Sequence, residues 1–157
     1  MFIPVFEPQL SLKDKFYANK ALDENAISGF FGKYINKFEE NFANYIGTKY
    51  SLTVSSGTTA LHLAVKTLGL KRGNEVLVTS ITNMATYFAV LYEGATPVPI
   101  DVNTHDLNIN IKDIEKKITK NTKAIIVVHL FGKPVNMREI MKIKKKYNLY
   151  LIEGCAE

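Results

Sequence analysis

The sequence predicts an α/β protein, with a mostly parallel β-sheet that carries helices on both faces and is preceded by an N-terminal helical arm. From residue 50 onward, short runs rich in β-branched and aliphatic residues alternate with stretches of helical periodicity. Most of the short runs are apolar on both faces, which is typical of strands covered on both sides in a parallel sheet. Neither a linker nor an internal repeat interrupts the alternation, so we expect one continuous α/β unit.

The N-terminal arm is predicted to span residues 1–48. Its first stretch, "MFIPVFEPQLS", contains prolines and favours an extended conformation. Ser11 is suited to cap an amphipathic helix over "SLKDKFYANKALDENAI", and the following "SGFFG" indicates a turn.

A second helix of the arm is predicted over "KYINKFEENFANYIG". Aromatic residues recur along it at helical spacing, namely Tyr34, Phe38, Phe42 and Tyr45. Gly47 is suited to end the helix, because glycine adopts the left-handed conformation common just after helix C-termini. A bulky aromatic stripe is more often part of a core than of a functional surface, so we expect these side chains to be buried.

The α/β domain is predicted to span residues 49–157. Strands are expected at "YSLTV", "EVLV", "TPVPI", "KAIIVVHL" and "LYLIE". The intervening helices are expected at "TTALHLAVKTLGL", "MATYFAVLYEG", "NIKDIEKKI" and "NMREIMKIKKKY". Strands that alternate with helices in this way pair in parallel through right-handed crossovers, so their carboxyl ends meet at one edge of the sheet.

Composition narrows the class of protein. With 157 residues, 46% of them hydrophobic and 22% charged, the chain resembles one ordinary soluble globular domain. Its formal charge of +5 is concentrated in "KKITKNTK" and "REIMKIKKKYN", where lysines alternate with apolar residues as on a solvated helix face. No nucleic-acid-binding motif accompanies these lysines, so nucleic acid is not an expected partner.

The chain shows no sign of export or membrane insertion. A single cysteine excludes an intrachain disulfide framework and a multi-cysteine metal site, and it fits a reducing compartment. No apolar run approaches the length of a membrane span, and the N-terminus lacks the pattern of a signal peptide. We therefore expect a cytoplasmic protein with no membrane partner and no metal site.

The most informative motif is "TVSSGTTALHLAV". A predicted strand ends at Val54, the small residues Ser56, Gly57 and Thr58 follow, and an amphipathic helix begins at once. Its predicted inward-facing residues are Ala60, Leu61, Ala64, Val65 and Leu68. Free N–H groups at a helix N-terminus suit a phosphate, whereas the alternative is an ordinary Ser/Thr cap. Neither a dinucleotide-binding fingerprint nor a P-loop is present to explain the turn.

A second polar turn, from Thr79 to Asn83, is predicted between the next strand and its helix, and the strand after that is predicted to end at Asp101. Taken singly, each of these turns is a loop with good capping residues. Together they place polar groups at one edge of the sheet.

These motifs together resemble the amino-terminal part of the DegT/DnrJ/StrS family of sugar aminotransferases. The similarity is carried by "SSGTTALHLAVKTLGLKRGNEVLVTSITNMAT", "GATPVPIDV", "TKAIIVVHLFGKPVNM" and "KKYNLYLIEGCAE", with upstream support from "PVFEPQLS" and "SGFFGKYINKFEENFANYIGTKY". The resemblance implies a partial large domain of fold type I and a pyridoxal 5'-phosphate cofactor. It also implies a nucleotide-sugar substrate, an amino-acid donor such as glutamate, and a dimeric working unit.

The resemblance also implies cofactor-binding positions. Ser56, Gly57 and Thr58 match the turn that binds the cofactor phosphate in this family. Asn83 stands where the family usually has an aromatic residue against the pyridine ring, so that stacking contact is replaced by an amide. Glu157 falls where a polar side chain of the family approaches the ring oxygen of the cofactor.

Two catalytic features of the family have no match in this sequence. The family has Glu-Asp where this chain has Glu153 and Gly154, and that aspartate pairs with the ring nitrogen and keeps it protonated. No lysine here lies in a motif that matches the Schiff-base lysine, which the family places further along the chain. We therefore assign no catalytic residue, and we expect Cys155 to be a small packed residue rather than a nucleophile.

The sequence leaves more than one function open. The main expectation is a truncated or degenerate homologue of a nucleotide-sugar aminotransferase, of the type that acts on 4-keto-6-deoxy sugars in perosamine synthesis, inactive by itself. It is expected to form homo-oligomers or to pair with an intact homologue. The alternative is a non-catalytic module that binds phosphate compounds or pairs with another subunit. An unrelated nucleotide-binding α/β domain is disfavoured by the missing glycine fingerprints.

Overall fold

The computed structural model describes residue 4, residues 7–29 and residues 32–156. The helices are α1 (Leu12–Asp23), α2 (Lys33–Ile46), α3 (Gly57–Lys66), α4 (Met84–Tyr92), α5 (Ile111–Lys117) and α6 (Met137–Tyr147). The strands are β1 (Glu75–Thr79), β2 (Thr96–Ile100), β3 (Thr122–Val128) and β4 (Tyr150–Gly154), and a short 3-10 turn covers Leu130–Gly132. The chain divides into two compact units, Met1–Thr53 and Val54–Glu157, called the N-terminal unit and the α/β unit below. The domain boundary expected from the sequence between residues 48 and 49 remains a prediction.

The N-terminal unit begins its helices as the sequence predicts. The Ser11 hydroxyl accepts the Asp14 N–H at 3.2 Å, and the Asp14 carboxylate accepts the Ser11 N–H at 2.8 Å. This reciprocal pair forms a capping box, which satisfies N–H groups that the first turn of α1 cannot pair internally. The predicted extended segment and the "SGFFG" turn include residues 1–3, 5–6 and 30–31, which lie outside the described residues.

The predicted burial of the aromatic stripe on α2 is wrong. Phe38 and Phe42 stack on each other with their ring centroids 5.5 Å apart, yet they remain 53% and 44% exposed, and Tyr45 is more exposed still. The physical reason lies within this unit, because α1 buries none of its own residues and so provides no packed surface to cover the rings. The predicted end of the helix is confirmed, since Gly47 follows α2 in the left-handed conformation with φ 78°.

The α/β unit contains a parallel sheet with strand order β2-β1-β3-β4. Each neighbouring pair is parallel, with Leu77 of β1 opposite Val98 of β2 and Ile125 of β3, and with Ile125 in turn opposite Leu151 of β4. The fold class predicted from the alternation of strands and helices is confirmed. β1 and β3 occupy the centre of the sheet, and their side chains are accordingly the best covered.

Helices cover both faces of this sheet. Val76 and Val78 point to the face that packs against Val65 of α3 and Val90 of α4. Leu77, between them, points to the opposite face and packs in a cluster with residues of α5 and α6, including Ile114, Ile140 and Ile143. Successive residues of β1 therefore serve two separate cores, which follows from the two-residue period of a strand.

The strand predicted over "YSLTV" is wrong, because residues 50–54 form no strand. A strand needs a neighbour that pairs with its backbone, and here Thr53 donates instead from both its N–H and its hydroxyl to the Glu39 carboxylate, at 2.7 Å each. The segment thus enters α3 without joining the sheet.

None of the helices in the described part of the chain has the length and apolarity required to span a lipid bilayer.

Candidate functional site

A cavity of about 690 Å³ opens at the carboxyl edge of the sheet. From β1 the chain crosses to β2 on one side, whereas β3 lies on the other side of β1 and continues outward to β4. In open parallel sheets, the crevice where strand order reverses in this way is the usual place for a ligand. The cavity is lined by the first turns of α3 and α4, the end of β3 with the residues that follow it, and residues 152–156.

The predicted phosphate turn forms one wall of the cavity. Ser56 is the N-cap of α3, and its hydroxyl accepts the Thr59 N–H at 3.2 Å, so the alternative of an ordinary cap describes this side chain correctly. The N–H groups of Gly57 and Thr58 have no acceptor among the described residues. N–H groups at the positive end of a helix are suited to an anion. The cap therefore leaves donors for a ligand in the same turn, and the predicted phosphate site stays a prediction.

Gly57 leaves room beside these N–H groups. A Cβ atom built at this position meets no atom within 4 Å, and the residue is exposed on the cavity wall. The glycine is therefore not required by the packing of the protein itself. It instead leaves the backbone open to close approach by a ligand.

The next turn of α3 differs from the prediction. Val65 is buried and Leu68 packs partly against the same core, as expected for the inward face. Ala60, predicted to face inward, is exposed and lines the cavity together with Leu61 and Ala64. The predicted inward orientation is therefore confirmed for Leu61, which packs partly against the core as Leu68 does, and it is wrong for the exposed Ala60.

The second predicted polar turn lies on the same cavity. Asn83 is the N-cap of α4, and its side-chain oxygen accepts the Ala85 N–H at 2.9 Å. Beside it, the Thr82 and Thr86 hydroxyls are 2.9 Å apart. Asp101, predicted at the same edge, does not line this cavity. It lies after β2, on a separate cavity of about 420 Å³ that Asp113 also lines.

His129 lines the cavity although the sequence did not single it out. It follows β3, within a run that was interpreted as strand throughout, and its backbone N–H donates to the Gly154 carbonyl at 3.1 Å. Its ring is well covered, with 15% of the side chain exposed. The Val135 N–H donates to Nδ1 at 3.0 Å, and Nε2 lies 3.2 Å from the Glu153 carboxylate. Its position in the sequence could have indicated it, because residues that directly follow the strands of a parallel sheet lie at the carboxyl edge, where ligands usually bind.

Gly154 is closely packed. A Cβ atom at this position would lie 3.1 Å from the Cγ2 atom of Val128, a distance tighter than ordinary van der Waals contact. A longer side chain would therefore require the Val128 side chain to move. At Gly154, where the resembled family has an aspartate, the close packing of β4 against β3 leaves little room for a side chain.

The prediction that Cys155 is packed is wrong, since the residue is exposed. The sulfur, a ring nitrogen of His129 and a carboxylate oxygen of Glu153 lie within 4.8 Å of one another. Partial desolvation, and secondarily the charge of Glu153, raise the pKa of the Cys155 thiol. A raised thiol pKa disfavours the thiolate, which is the nucleophilic form.

Two further predictions concern groups around the cavity. Glu157, predicted to approach the cofactor ring, lies outside the described residues. None of the described residues that line the cavity is a lysine. The lysines of α5 and α6 that form ion pairs, Lys116, Lys142 and Lys146, are all more than half exposed, as their spacing predicts.

Comparison of the sequence with known proteins identifies one family of aminotransferases and relatives whose names agree with it. The family model of the DegT/DnrJ/EryC1/StrS aminotransferase family matches residues 9–157. The chain is 46% identical over 156 residues to a GDP-perosamine synthase of Escherichia coli O157:H7 and 39% identical over 155 residues to one of Vibrio cholerae. Each alignment covers 99% of this chain, which spans 43% and 42% of the length of those two relatives.

Solved structures agree with the sequence relatives. An aminotransferase from Psychrobacter cryohalolentis superposes with a TM-score of 0.90 at 36% identity, covering 95% of this chain and 38% of that one. An E. coli GDP-4-keto-6-deoxy-D-mannose-3-dehydratase with bound hydrated PLP superposes with a TM-score of 0.88 at 31% identity, covering 96% and 40%. The fold of this chain is thus shared with an aminotransferase and with a dehydratase.

Proposed function

Because this chain belongs to the DegT/DnrJ/EryC1/StrS aminotransferase family, we propose that it forms part of the cofactor site of a pyridoxal-phosphate-dependent aminotransferase. The proposed substrate is a 4-keto-6-deoxy nucleotide sugar, and the proposed donor is an amino acid such as glutamate. Support for the substrate class comes from the GDP-perosamine synthases, which align with nearly the whole chain.

The observation that carries this proposal is the turn at the start of α3. The free N–H groups of Gly57 and Thr58 and the open space beside Gly57 fit the phosphate group of the cofactor. The Ser56 hydroxyl holds the turn in shape, because it accepts the Thr59 N–H and forms a second hydrogen bond with the Thr59 hydroxyl. The backbone N–H groups of the turn are therefore the donors proposed for the phosphate. When bound, pyridoxal phosphate supplies an electron sink for the carbanion formed in amino transfer.

Other residues around the cavity are proposed to orient the cofactor ring. Asn83 sits at the N-terminus of α4 on the cavity, where its amide plane can pack against a ring face. Glu157 is proposed to approach the ring oxygen. Because Gly154 offers no acid and no lysine lines the described cavity, these residues bind and orient the cofactor, and the chain by itself does not carry out transamination.

Cofactor binding is tested by titrating the chain with pyridoxal phosphate and, separately, with inorganic phosphate. Gly57→Val places a branched side chain in the open space, so we expect at least about tenfold weaker binding, equivalent to about 1.4 kcal/mol. The free energy of unfolding of the variant should fall by less than this amount, because the new side chain meets no protein atom near its Cβ. The thermal midpoint of unfolding measures it.

Ser55→Ala is the matched control. The Ser55 hydroxyl lies 3.3 Å from that of Thr59 but does not cap the helix, so this variant should bind like the parent chain. Equal affinity of the Gly57→Val variant and the parent would remove the phosphate site from the proposal.

The alternative is a non-catalytic module that binds phosphate compounds or pairs with another subunit. This alternative expects no cofactor absorbance in the titration with pyridoxal phosphate. Borohydride reduction at stoichiometric pyridoxal phosphate, followed by peptide mass mapping, tests whether a lysine of this chain forms a Schiff base. The proposed function expects reversible binding without stoichiometric attachment to one lysine of this chain. Amino-sugar formation by the isolated chain from a 4-keto-6-deoxy sugar nucleotide would contradict the proposed inactivity.

A cytoplasmic location and a dimeric working unit are further parts of the proposal. The location is supported by the expected source of the substrate, because nucleotide sugars and amino-acid donors are intracellular metabolites. The dimeric working unit is what the resemblance to the family implies. Cell fractionation and sedimentation analysis test them separately.

A further inference from the structure

A buried asparagine contacts the segment that follows the 3-10 turn. Asn108 is 4% exposed, and its amide nitrogen lies 3.2 Å from the Lys133 carbonyl oxygen and 3.3 Å from that of Pro134. Both partners are acceptors, so the NH2 end of the amide must face them. The Asn108 side-chain oxygen, which then points away, has no hydrogen-bond partner. The amide is therefore held in place by its two donors alone.

The segment that Asn108 holds continues directly to His129. Val135, one residue after Pro134, donates its backbone N–H to Nδ1 of His129 at 3.0 Å. A nitrogen that accepts a hydrogen bond carries no proton, so a neutral imidazole in this arrangement must carry its proton on Nε2. Nε2 lies 3.2 Å from the Glu153 carboxylate, which is an acceptor. Both ring contacts therefore favour the same tautomer.

We propose that Asn108 and the segment from Lys133 to Val135 are positioning residues that hold His129 in its Nε2–H tautomer, so that this ring presents a hydrogen-bond donor to Glu153 at the cavity. The Nε2–H group fixes the orientation of a carboxylate that is otherwise 45% exposed. It also defines what a ligand meets on this wall, namely a donor for an acceptor atom that takes the place of the carboxylate. This inference is independent of which cofactor or sugar the cavity binds.

The same tautomer argues against a metal site. His129, Glu153 and Cys155 have ligand atoms within 4.8 Å of one another, which is close enough to suggest a site for a divalent cation such as Zn²⁺. Ligation through Nε2 requires a free lone pair there and therefore a proton on Nδ1. A proton on Nδ1 would face the Val135 N–H, donor against donor. Metal binding would thus cost the Val135 hydrogen bond.

The direct test is nitrogen NMR of the chain labelled with ¹⁵N in histidine. At pH about 8.5, two units above the ordinary histidine pKa of about 6.5, long-range ¹H–¹⁵N correlation spectra distinguish a protonated ring nitrogen from an unprotonated one. We expect His129 to show protonated Nε2 and unprotonated Nδ1, with a His129→Asn variant used to assign its signals. A proton on Nδ1, or an equal mixture of tautomers as in free histidine, would overturn the proposal.

A second arm tests the role of Asn108. Asn108→Ala should shift His129 toward a mixture of tautomers, whereas Asn103→Ala should leave it unchanged, because Asn103 donates to Asp106 rather than to the Lys133 and Pro134 carbonyls. If Asn108→Ala lowers the thermal midpoint but the tautomer remains fixed, Asn108 has only a structural role and that part of the proposal is wrong. If one equivalent of Zn²⁺ moves the His129 proton from Nε2 to Nδ1 in the parent chain, a metal site replaces this proposal.

Discussion

Cys155 shows how partial desolvation, together with a neighbouring charge, lowers the reactivity of an exposed side chain. Partial desolvation and the Glu153 carboxylate both raise the pKa of the thiol, and only the thiolate reacts readily with alkylating agents. The exposure of a cysteine is therefore a poor guide to its chemistry at this position.

We predict that Glu153→Gln accelerates alkylation of Cys155 at pH 7.5. Removal of the charge lowers the thiol pKa, so a larger fraction of the sulfur is ionised, and iodoacetamide incorporation followed by mass spectrometry measures the rate. Glu139→Gln serves as the control, since Glu139 pairs with Lys142 on α6 and should leave the rate unchanged. An unchanged or slower rate in Glu153→Gln would show that the carboxylate does not act on the thiol.

Glu93 is a second residue whose charge is set by a specific neighbour. Its side chain is 13% exposed and lies 2.7 Å from Nε2 of His62 and 3.5 Å from Nζ of Lys66. The hydrogen bond with His62, more than the nearby Lys66 charge, lowers the pKa of Glu93 below its ordinary value of 4.5. A carboxyl with a lowered pKa in the folded state stabilises the fold above the unfolded pKa, and it loses that contribution as the pH falls.

We predict that Glu93→Gln unfolds at a lower urea concentration than the parent chain at pH 6. The difference should shrink as the pH falls below about 4.5, because the parent carboxyl then takes up the proton that glutamine never carries. Urea titrations between pH 6 and pH 3 measure it. A difference between Glu93→Gln and the parent chain that stays constant from pH 6 to pH 3 would contradict the assigned cause.

At the scale of elements, the burial of β1 leads to a quantitative prediction about stability. Leu77→Ala should destabilise the chain by about 3 kcal/mol, because Leu77 is fully buried against α5 and α6 and its removal leaves a cavity. Leu91→Ala, at a helix position that is 50% exposed, should change stability by less than about 0.5 kcal/mol. Chemical denaturation measures both. Similar losses for the two variants would mean that burial in this sheet does not determine stability.

The sequence was most reliable where periodicity and capping agree. Four of the five predicted strands and all six predicted helices occur in the described part of the chain, because apolar runs between helical stretches have few alternative structures. The exception, residues 50–54, has the composition of a strand but no partner strand. Pairing is a tertiary property, so composition alone could not reveal its absence.

Within the site, the sequence could identify only the residues whose chemistry is local. Ser56, Gly57 and Asn83 follow from turn and cap rules that act over a few residues. His129 could not be identified in the same way, because its partners Val135 and Glu153 are brought to it by the turn after β3 and by the pairing of β3 with β4. Cap rules alone indicate that Ser56 caps α3, whereas the proposal that the same turn binds the cofactor phosphate depends on the resemblance to the family.

At the scale of the whole molecule, the N-terminal unit carries an exposed aromatic surface, which we define as Phe38, Phe42 and Tyr45 of α2. Exposed apolar clusters of this kind commonly mark surfaces that associate. The homo-oligomer expected from the sequence stays a prediction, and this surface is where it can be tested.

We predict that Phe38→Ser combined with Phe42→Ser weakens concentration-dependent association of the chain, as measured by sedimentation velocity. Loss of two stacked rings removes apolar area that a partner surface would bury. Asn41→Ser, a polar change on the same helix, is the control and should leave the sedimentation profile unchanged. Association that persists unaltered in the double variant would direct attention to another surface.

The strand order β2-β1-β3-β4 has a final consequence. The reversal of strand order between β1 and β3 determines where the crevice lies. The side chains and backbone that line it, including Asn83, His129 and Gly154, determine which groups a ligand would contact there. Exchange of one of these side chains can therefore alter the chemistry of the pocket without relocating it. Proteins with this strand order can therefore change the chemistry of the crevice by substitution while the crevice keeps its position in the fold.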